Sequence, residues 1–160
     1  MSRLRFQHDK LPYQLIFERR AMSIIQSRVQ TLPWTKESGG QMFGKVEGWN
    51  IIVSEVTVPR SKDVRTRTSF SIDVPLANAE IAERFTRGLQ YLGDWHTHPE
   101  NEPQPSLQDR QNAGRMFRTA GGRAFFVVVI AGRNNTYVGL HNAKALIRLE
   151  RVQPSRRRRL

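Results

Sequence analysis

The sequence predicts an α/β protein, a single domain in which helices pack on a mixed β-sheet. Three observations predict it. Strand-like runs are interspersed with about three helical stretches. The unbroken apolar run Ala124 to Ala131 is what a strand covered on both faces requires. A length of 160 residues, with 38% hydrophobic and 25% charged residues and no internal repeat, suits one core of ordinary size.

The elements follow in order. From about Glu18 to Leu32, Met22, Ile25, Val29 and Leu32 fall at helical spacing, and Pro33 ends the pattern. Gly39-Gly40 then allows an unusual backbone or a close approach by another segment. A hairpin is predicted from Gln41 to Glu47, a turn at Gly48-Trp49-Asn50, and a return from Ile51 to Val58, rich in β-branched residues. Arg60 to Ser69 is polar and basic and is expected to be a surface loop, open to an acidic partner or simply solvated. Phe70 to Asp73 is a short strand candidate. Pro75 opens a helix with Ile81 and Phe85 on its buried side and Leu76 or Ala77 a turn earlier, and Gly88 stops it. Tyr91 to His98 reads as a strand, with Leu92, Asp94, His96 and His98 on one face and Tyr91, Trp95 and Thr97 on the other. A helix from Ser106 to about Phe117, the buried strand from Ala124, a turn at Gly132 to Asn135, a return from Thr136 to Leu140, and a half-exposed strand over Ala145 to Glu150 complete the chain.

Several function classes are excluded or narrowed by composition. No cysteine is present, which removes disulfides, thiolate metal sites and a cysteine nucleophile. No apolar run approaches the ~20 residues that cross a bilayer. The N-terminus lacks the apolar core of a secretory signal, so cytoplasmic residence is expected. The net charge of +12, including the run Arg156 to Arg159, attracts anionic partners without choosing among them. The expected division is a domain over 1–153 and a basic tail over 154–160.

The chemistry concentrates in Asp94-Trp95-His96-Thr97-His98-Pro99 and Ser106-Leu107-Gln108-Asp109. On a strand, His96 and His98 project to one side. Two histidines and a carboxylate, with a fourth position open, are the ligands of a catalytic zinc. Ser106-x-x-Asp109 taken alone is a capping box at a helix start. It joins the metal site only if that helix start lies beside the end of the histidine strand. A zinc hydrolase also needs a base. By residue type Glu37, Glu47, Glu55, Glu100 and Glu102 all qualify.

Together, Glu37-Ser38-Gly39-Gly40, His96-Thr97-His98-Pro99 and Ser106-Leu107-Gln108-Asp109 resemble the JAB/MPN zinc isopeptidases, also called JAMM. The pattern is a distant glutamate, His-x-His-Pro and Ser-x-x-Asp, with ten residues between the second histidine and the aspartate. Arg65 to Phe70 with Tyr91 to His98 is further similar to a bacterial subgroup encoded beside ubiquitin-like conjugation machinery, in anti-phage CBASS operons or with its own ubiquitin-like protein. The resemblance implies a cytidine-deaminase-like α/β sandwich with Zn2+ held by His96, His98 and Asp109. It implies Glu37 as the base and Ser106 as the donor to the oxyanion. The implied substrate is a peptide or isopeptide bond after a ubiquitin-like C-terminus, with the activating and conjugating enzymes of the operon as partners. The short stretch between His98 and Ser106 leaves little room for the insertion by which some relatives read a distal ubiquitin linkage. A competing expectation, motivated by the charge, is a nucleic-acid-binding protein of the same fold with a structural or vestigial metal site. A deaminase in its usual form needs cysteine ligands and is discarded.

Overall fold

The computed structural model describes residues 3–119 and 124–154. In chain order these form β1 (Leu4–Gln7), β2 (Gln14–Phe17), α1 (Arg19–Gln26), β3 (Gly39–Glu47) and β4 (Asn50–Val56). Then come β5 (Val64–Arg65), β6 (Phe70–Ser71), α2 (Val74–Thr86), β7 (Gln90–Thr97) and α3 (Leu107–Thr119). β8 (Phe126–Ala131), β9 (Thr136–His141), β10 (Leu146–Arg148) and β11 (Glu150–Arg151) complete the described chain. The expected mixed α/β architecture is present. Nine strands form one sheet in the order β10-β9-β8-β7-β3-β4-β2-β1-β11, and β5 and β6 form a separate two-stranded hairpin. β7 runs parallel to β8 and antiparallel to β3, so the site strand lies in the middle of the sheet.

The last two strands reveal the shape of this sheet. β10 and β11 pair at opposite ends of it, yet only Leu149 separates them. Nine strands at ~4.8 Å spacing would be about 38 Å across if flat. The sheet therefore curls until its edges meet. At the seam the Leu149 N–H donates to the Val138 carbonyl, and Val152 N–H donates to that of Arg5. The single half-exposed strand expected over Ala145 to Glu150 is thus two strands broken at a buried leucine. Inside the curl, Ala21, Met22 and Ile25 of α1 pack with Phe17, Val53, Trp95, Val127, Val129 and Leu149. On the other face Phe126, Val128 and Ile130 pack with Ala113 of α3. From Phe125 to Ala131 the apolar run is buried, with the strand covered on both faces as its composition required, while Ala124 at its start is exposed. Each such side chain contributes about 1.5–3 kcal/mol on burial, so β7 and β8 form a firm base for the site.

Four local expectations are corrected. α1 stops at Gln26 and not near Leu32, which is 48% exposed. Beyond it the chain is needed elsewhere, because the buried Gln30 side chain bonds Thr35, Arg67 and Thr97. In α2, Phe85 is not buried but 72% exposed. Its inward stripe is Ala77, Glu80, Ile81 and Arg84, with Glu80 paired to Arg60 and the Arg84 guanidinium 4.5 Å from the centre of the Phe43 ring. An apolar-only pattern cannot find a stripe neutralised by ion pairs. In β7 the register with β3 slips between Met42 and Phe43, leaving Leu92 as an extra residue. The bulge turns Leu92 inward with Trp95, while Tyr91 and Asp94 face outward with His96. Lastly, Arg60 to Ser69 is no plain surface loop. Arg60 and Asp63 are largely buried and paired, and Val64–Arg65 joins Phe70–Ser71 in the hairpin.

Other expectations hold. Gly88 follows α2 with φ +78°, where glycine has no steric penalty. The first hairpin and the start of α3 fall where predicted. β2, for which the sequence offered no reading, pairs in parallel with β4. No described helix is long and apolar enough to cross a membrane. Of the basic tail, residues 155–160 lie outside the described residues.

Candidate metal centre

His96 lies near the end of β7, and His98 lies just beyond it. Thr97 between them points into the core, so the two imidazoles project outward together. The His98 N–H donates to the Ala131 carbonyl, continuing the β7–β8 pairing past the strand. The loop that follows is stapled to the β8–β9 turn. Arg133 N–H bonds the Glu100 carbonyl, and the N–H groups of Asn134 and Asn135 bond that of Asn101. Arg133 Nη2 also donates to the Pro99 carbonyl at 2.8 Å. Gly132 lets Pro103 pack against this turn, where any Cβ would collide. These contacts deliver the start of α3 to the end of β7.

There the capping box forms in both directions. Asp109 N–H donates to Ser106 Oγ at 3.0 Å, and Ser106 N–H donates to Asp109 Oδ2 at 2.8 Å. The same carboxylate meets both histidines. Asp109 Oδ1 lies 3.2 Å from His96 Nε2, and Oδ2 lies 3.2 Å from His98 Nε2. The two Nε2 atoms are themselves 3.2 Å apart. Three ligand atoms at ~2.0–2.1 Å from a tetrahedral zinc would be separated by roughly 3.3 Å. Each contact is close to that separation, with the two histidines facing different oxygens of the carboxylate; one ligand atom from each residue lies within 4.8 Å of the others, so these described residues could hold such an ion. Burial raises the Asp109 pKa. Hydrogen bonds from His96 and His98, the charge of His96 and the Ser106 N–H outweigh it and hold the carboxyl well below the usual range. Burial lowers the His98 pKa, but the Asp109 bond and charge, with Glu37 and Glu100, leave it raised. Among the described residues His98 Nδ1 has no hydrogen-bond partner; it lies 3.7 Å from Glu100 Oε1.

Glu37 reaches the same cleft from the segment two residues before β3, the strand that pairs with β7 on the side away from β8. It is 5% exposed. Burial pushes its carboxyl up to about 7; His98 pulls it down, and Asp109 and Glu100 raise it further. A carboxyl poised near neutrality is suited to accept and return a proton. The backbone around it is held tightly. Ser38 N–H donates to Thr97 Oγ1 and Thr97 N–H donates to the Ser38 carbonyl, both at 2.9 Å. Thr97 Oγ1 in turn donates to Gln30 Oε1. The glycine pair is explained by close approach: a Cβ on Gly39 would strike the Phe70 ring, and one on Gly40 the Thr57 carbonyl.

All five residues singled out in the sequence thus line one cleft of about 680 Å³, together with the hairpin residues 68–71. The other four acids do not share Glu37's setting. Glu55 pairs with Arg84 and Arg87. Glu100 has a half-exposed side chain. Glu47 and Glu102 do not line the cleft. Sequence reasoning missed the supports Gln30, Thr97 and Arg65, whose polarity looked like that of ordinary loop or strand residues. It also missed Asp94, whose carboxyl accepts from Tyr91 Oη; burial pushes it up to about 6, against that bond and the charge of Arg60.

A family model described as prokaryotic homologs of the JAB domain matches residues 23–143. A CD-NTase/cGAS isopeptidase of Pseudomonas aeruginosa is 33% identical over 130 residues, 79% of this chain and 82% of that protein. One of the same name from Vibrio cholerae is 28% identical, covering 74% and 76%. A Sinorhizobium fredii protein named "Probable metalloprotease y4qB" is 30% identical, covering 73% and 78%. The solution structure of protein DSY2949 from Desulfitobacterium hafniense superposes with a TM-score of 0.60 at 18% identity, over 82% of this chain and 87% of that one. That likeness shows the fold alone, whereas the matched span and the sequence relatives make the chain a member of the bacterial JAB/MPN family.

Proposed function

We propose that this protein is a zinc-dependent isopeptidase that hydrolyses the bond after the C-terminus of a ubiquitin-like protein, in a bacterial anti-phage system. The observation that carries the reading is the convergence of His96, His98 and Asp109, with one ligand atom from each within 4.8 Å of the others, in one cleft with Glu37. The names of the relatives favour hydrolysis of an isopeptide bond, with a CD-NTase as the conjugated partner.

His96, His98 and Asp109 would hold the zinc, which supplies Lewis acidity and makes water a nucleophile near neutral pH. Glu37 accepts a proton from water as its oxygen adds to the scissile carbonyl, and later gives that proton to the departing amine. Ser106 has a second task beyond its cap. Its Oγ uses a lone pair to accept the Asp109 N–H, so its own O–H remains free to donate to the oxyanion. The C–N bond breaks with the carbonyl re-forming, leaving a carboxylate and an amine.

The test is cleavage of a ubiquitin-like protein fused through its C-terminus to a reporter. Cleavage is expected to stop on zinc removal, to return on adding zinc, and to be lost in Glu37→Ala. Cleavage that survives both treatments overturns the reading. The competing nucleic-acid role rests on the net charge of +12; Arg60, Arg84 and Arg87, paired with acids, and Arg133, bonded to backbone carbonyls, would add little to it.

A further inference from the structure

Among the described residues, no hydrogen bond or ion pair holds the Glu37 carboxylate. Its aim therefore depends on its backbone, which belongs to neither helix nor strand. Two of the contacts on that backbone come from consecutive residues of the β5–β6 hairpin. Thr66 accepts the Glu37 N–H at 2.7 Å. Arg65 Nε donates to the Glu37 carbonyl at 2.7 Å, and its Nη2 donates to Ser38 Oγ at 2.8 Å. The hairpin is pressed against the same segment by Phe70, whose ring takes the space left open at Gly39.

We propose that Arg65 is a positioning residue for the reaction: its guanidinium fork fixes the peptide joining Glu37 to Ser38 and so sets the direction in which the Glu37 side chain leaves the backbone. The inference rests on the proposed role of Glu37 as base. Among the described residues Arg65 forms no ion pair, so the charge that suggested an acidic partner is turned onto two neutral oxygens. The two donors stand in one rigid plane and can grip two oxygens of adjacent residues, which a lysine ammonium cannot reproduce. The same hairpin lines the cleft through Thr68, Ser69 and Phe70, so the base is registered against the wall that substrate would meet.

Arg65→Ala, Arg65→Lys and Glu37→Gln are compared on the reporter fusion, well below their melting temperatures, with zinc content measured for each. A displacement of the base by about 1 Å predicts a fall in kcat of roughly 10–100-fold for Arg65→Ala. KM and zinc content are expected to stay as in the parent protein, because the ligands stand on β7, just beyond it and on α3. Arg65→Lys recovers part of the loss. A second measurement needs no substrate: amide exchange at Glu37 and Ser38 accelerates by about tenfold or more in Arg65→Ala, while amides of β8 are unchanged. Parental kcat, unaltered exchange at Glu37 and Ser38, or a loss of zinc that accounts for the loss of rate each overturns the positioning role. If Glu37→Gln turns over like the parent protein, the base assignment itself fails. If Glu37→Gln is inactive while Arg65→Ala is unaffected, only the role of Arg65 fails.

Discussion

The two halves of the candidate site are built in different ways. The metal half is local and regular. His96 and His98 lie at the end of a central strand, Asp109 lies in the first turn of α3, and thirteen positions separate the outermost pair. The base half is assembled from distant parts. Glu37 sits on an irregular segment held by Arg65 and Thr66, and through Ser38 by Thr97 and Gln30. The first half can tolerate surface change around it, since strand pairing and a helix cap aim its ligands. The second depends on long-range hydrogen bonds, whose individual loss is expected to misdirect the chemistry before it unfolds the chain.

The strongest way to break this comparison is Asp109→Ala. The carboxylate is half of the capping box and, on the proposed reading, a metal ligand, so its removal is expected to bring zinc content to near zero and to end cleavage. In the metal-free protein the lost cap should also cost about 1 kcal/mol, read from urea unfolding. Thr97→Val strikes the other half. It is expected to keep zinc while lowering kcat. Loss of zinc in Thr97→Val would show that the two halves are not separately built.

A smaller effect sharpens the dual role of Ser106. Ser106→Ala is expected to lower kcat by ~10²–10³, the usual cost of one oxyanion donor. Ser106→Gly separates the two tasks, because glycine at an N-cap costs only about a few tenths of a kcal/mol and has no side-chain donor. Most of the stability should return in Ser106→Gly and the activity should not. Recovery of both would make Ser106 a cap alone.

The same division explains what could be read from the sequence. His-x-His and Ser-x-x-Asp are short motifs whose geometry follows from strand and helix periods, so the metal half was legible except for the proximity of its two pieces. That proximity comes from the staple between residues 99–103 and the β8–β9 turn, which has no local signature. Glu37 was indistinguishable by residue type from four other acids; only resemblance to a family selected it. The core run at β8 was plain, as was the hairpin of β3 and β4. The face of Leu92 was misjudged because a single bulge inverts an alternation, and α2 was misjudged because Glu80 and Arg84 are turned inward as paired charges. The closure of the sheet hinges on one residue, Leu149, whose burial nothing nearby announces.

The smallest effect expected concerns stability and not turnover. In the metal-free protein the Glu37 carboxyl titrates at about 7, against 4.5 for the same group in an unconstrained chain. Between those values the native state binds more protons than the unfolded state, so this group's contribution to stability falls as pH rises from about 4.5 to about 7 and then levels. Asp109 has the opposite sign: its native pKa is depressed, and the stability it brings is present at neutral pH and lost on acidification below the ordinary carboxylate range. Comparing metal-free parent protein with Glu37→Gln isolates the first term, since His98 titrates nearby in both. Glutamine keeps the shape and carries no charge. Its advantage in urea unfolding should be small at pH 5 and grow towards pH 8, reaching at most about 3 kcal/mol. Equal stability of the two proteins across that range would mean that the buried carboxyl carries no such cost, and that the base half is not held at the expense of the fold.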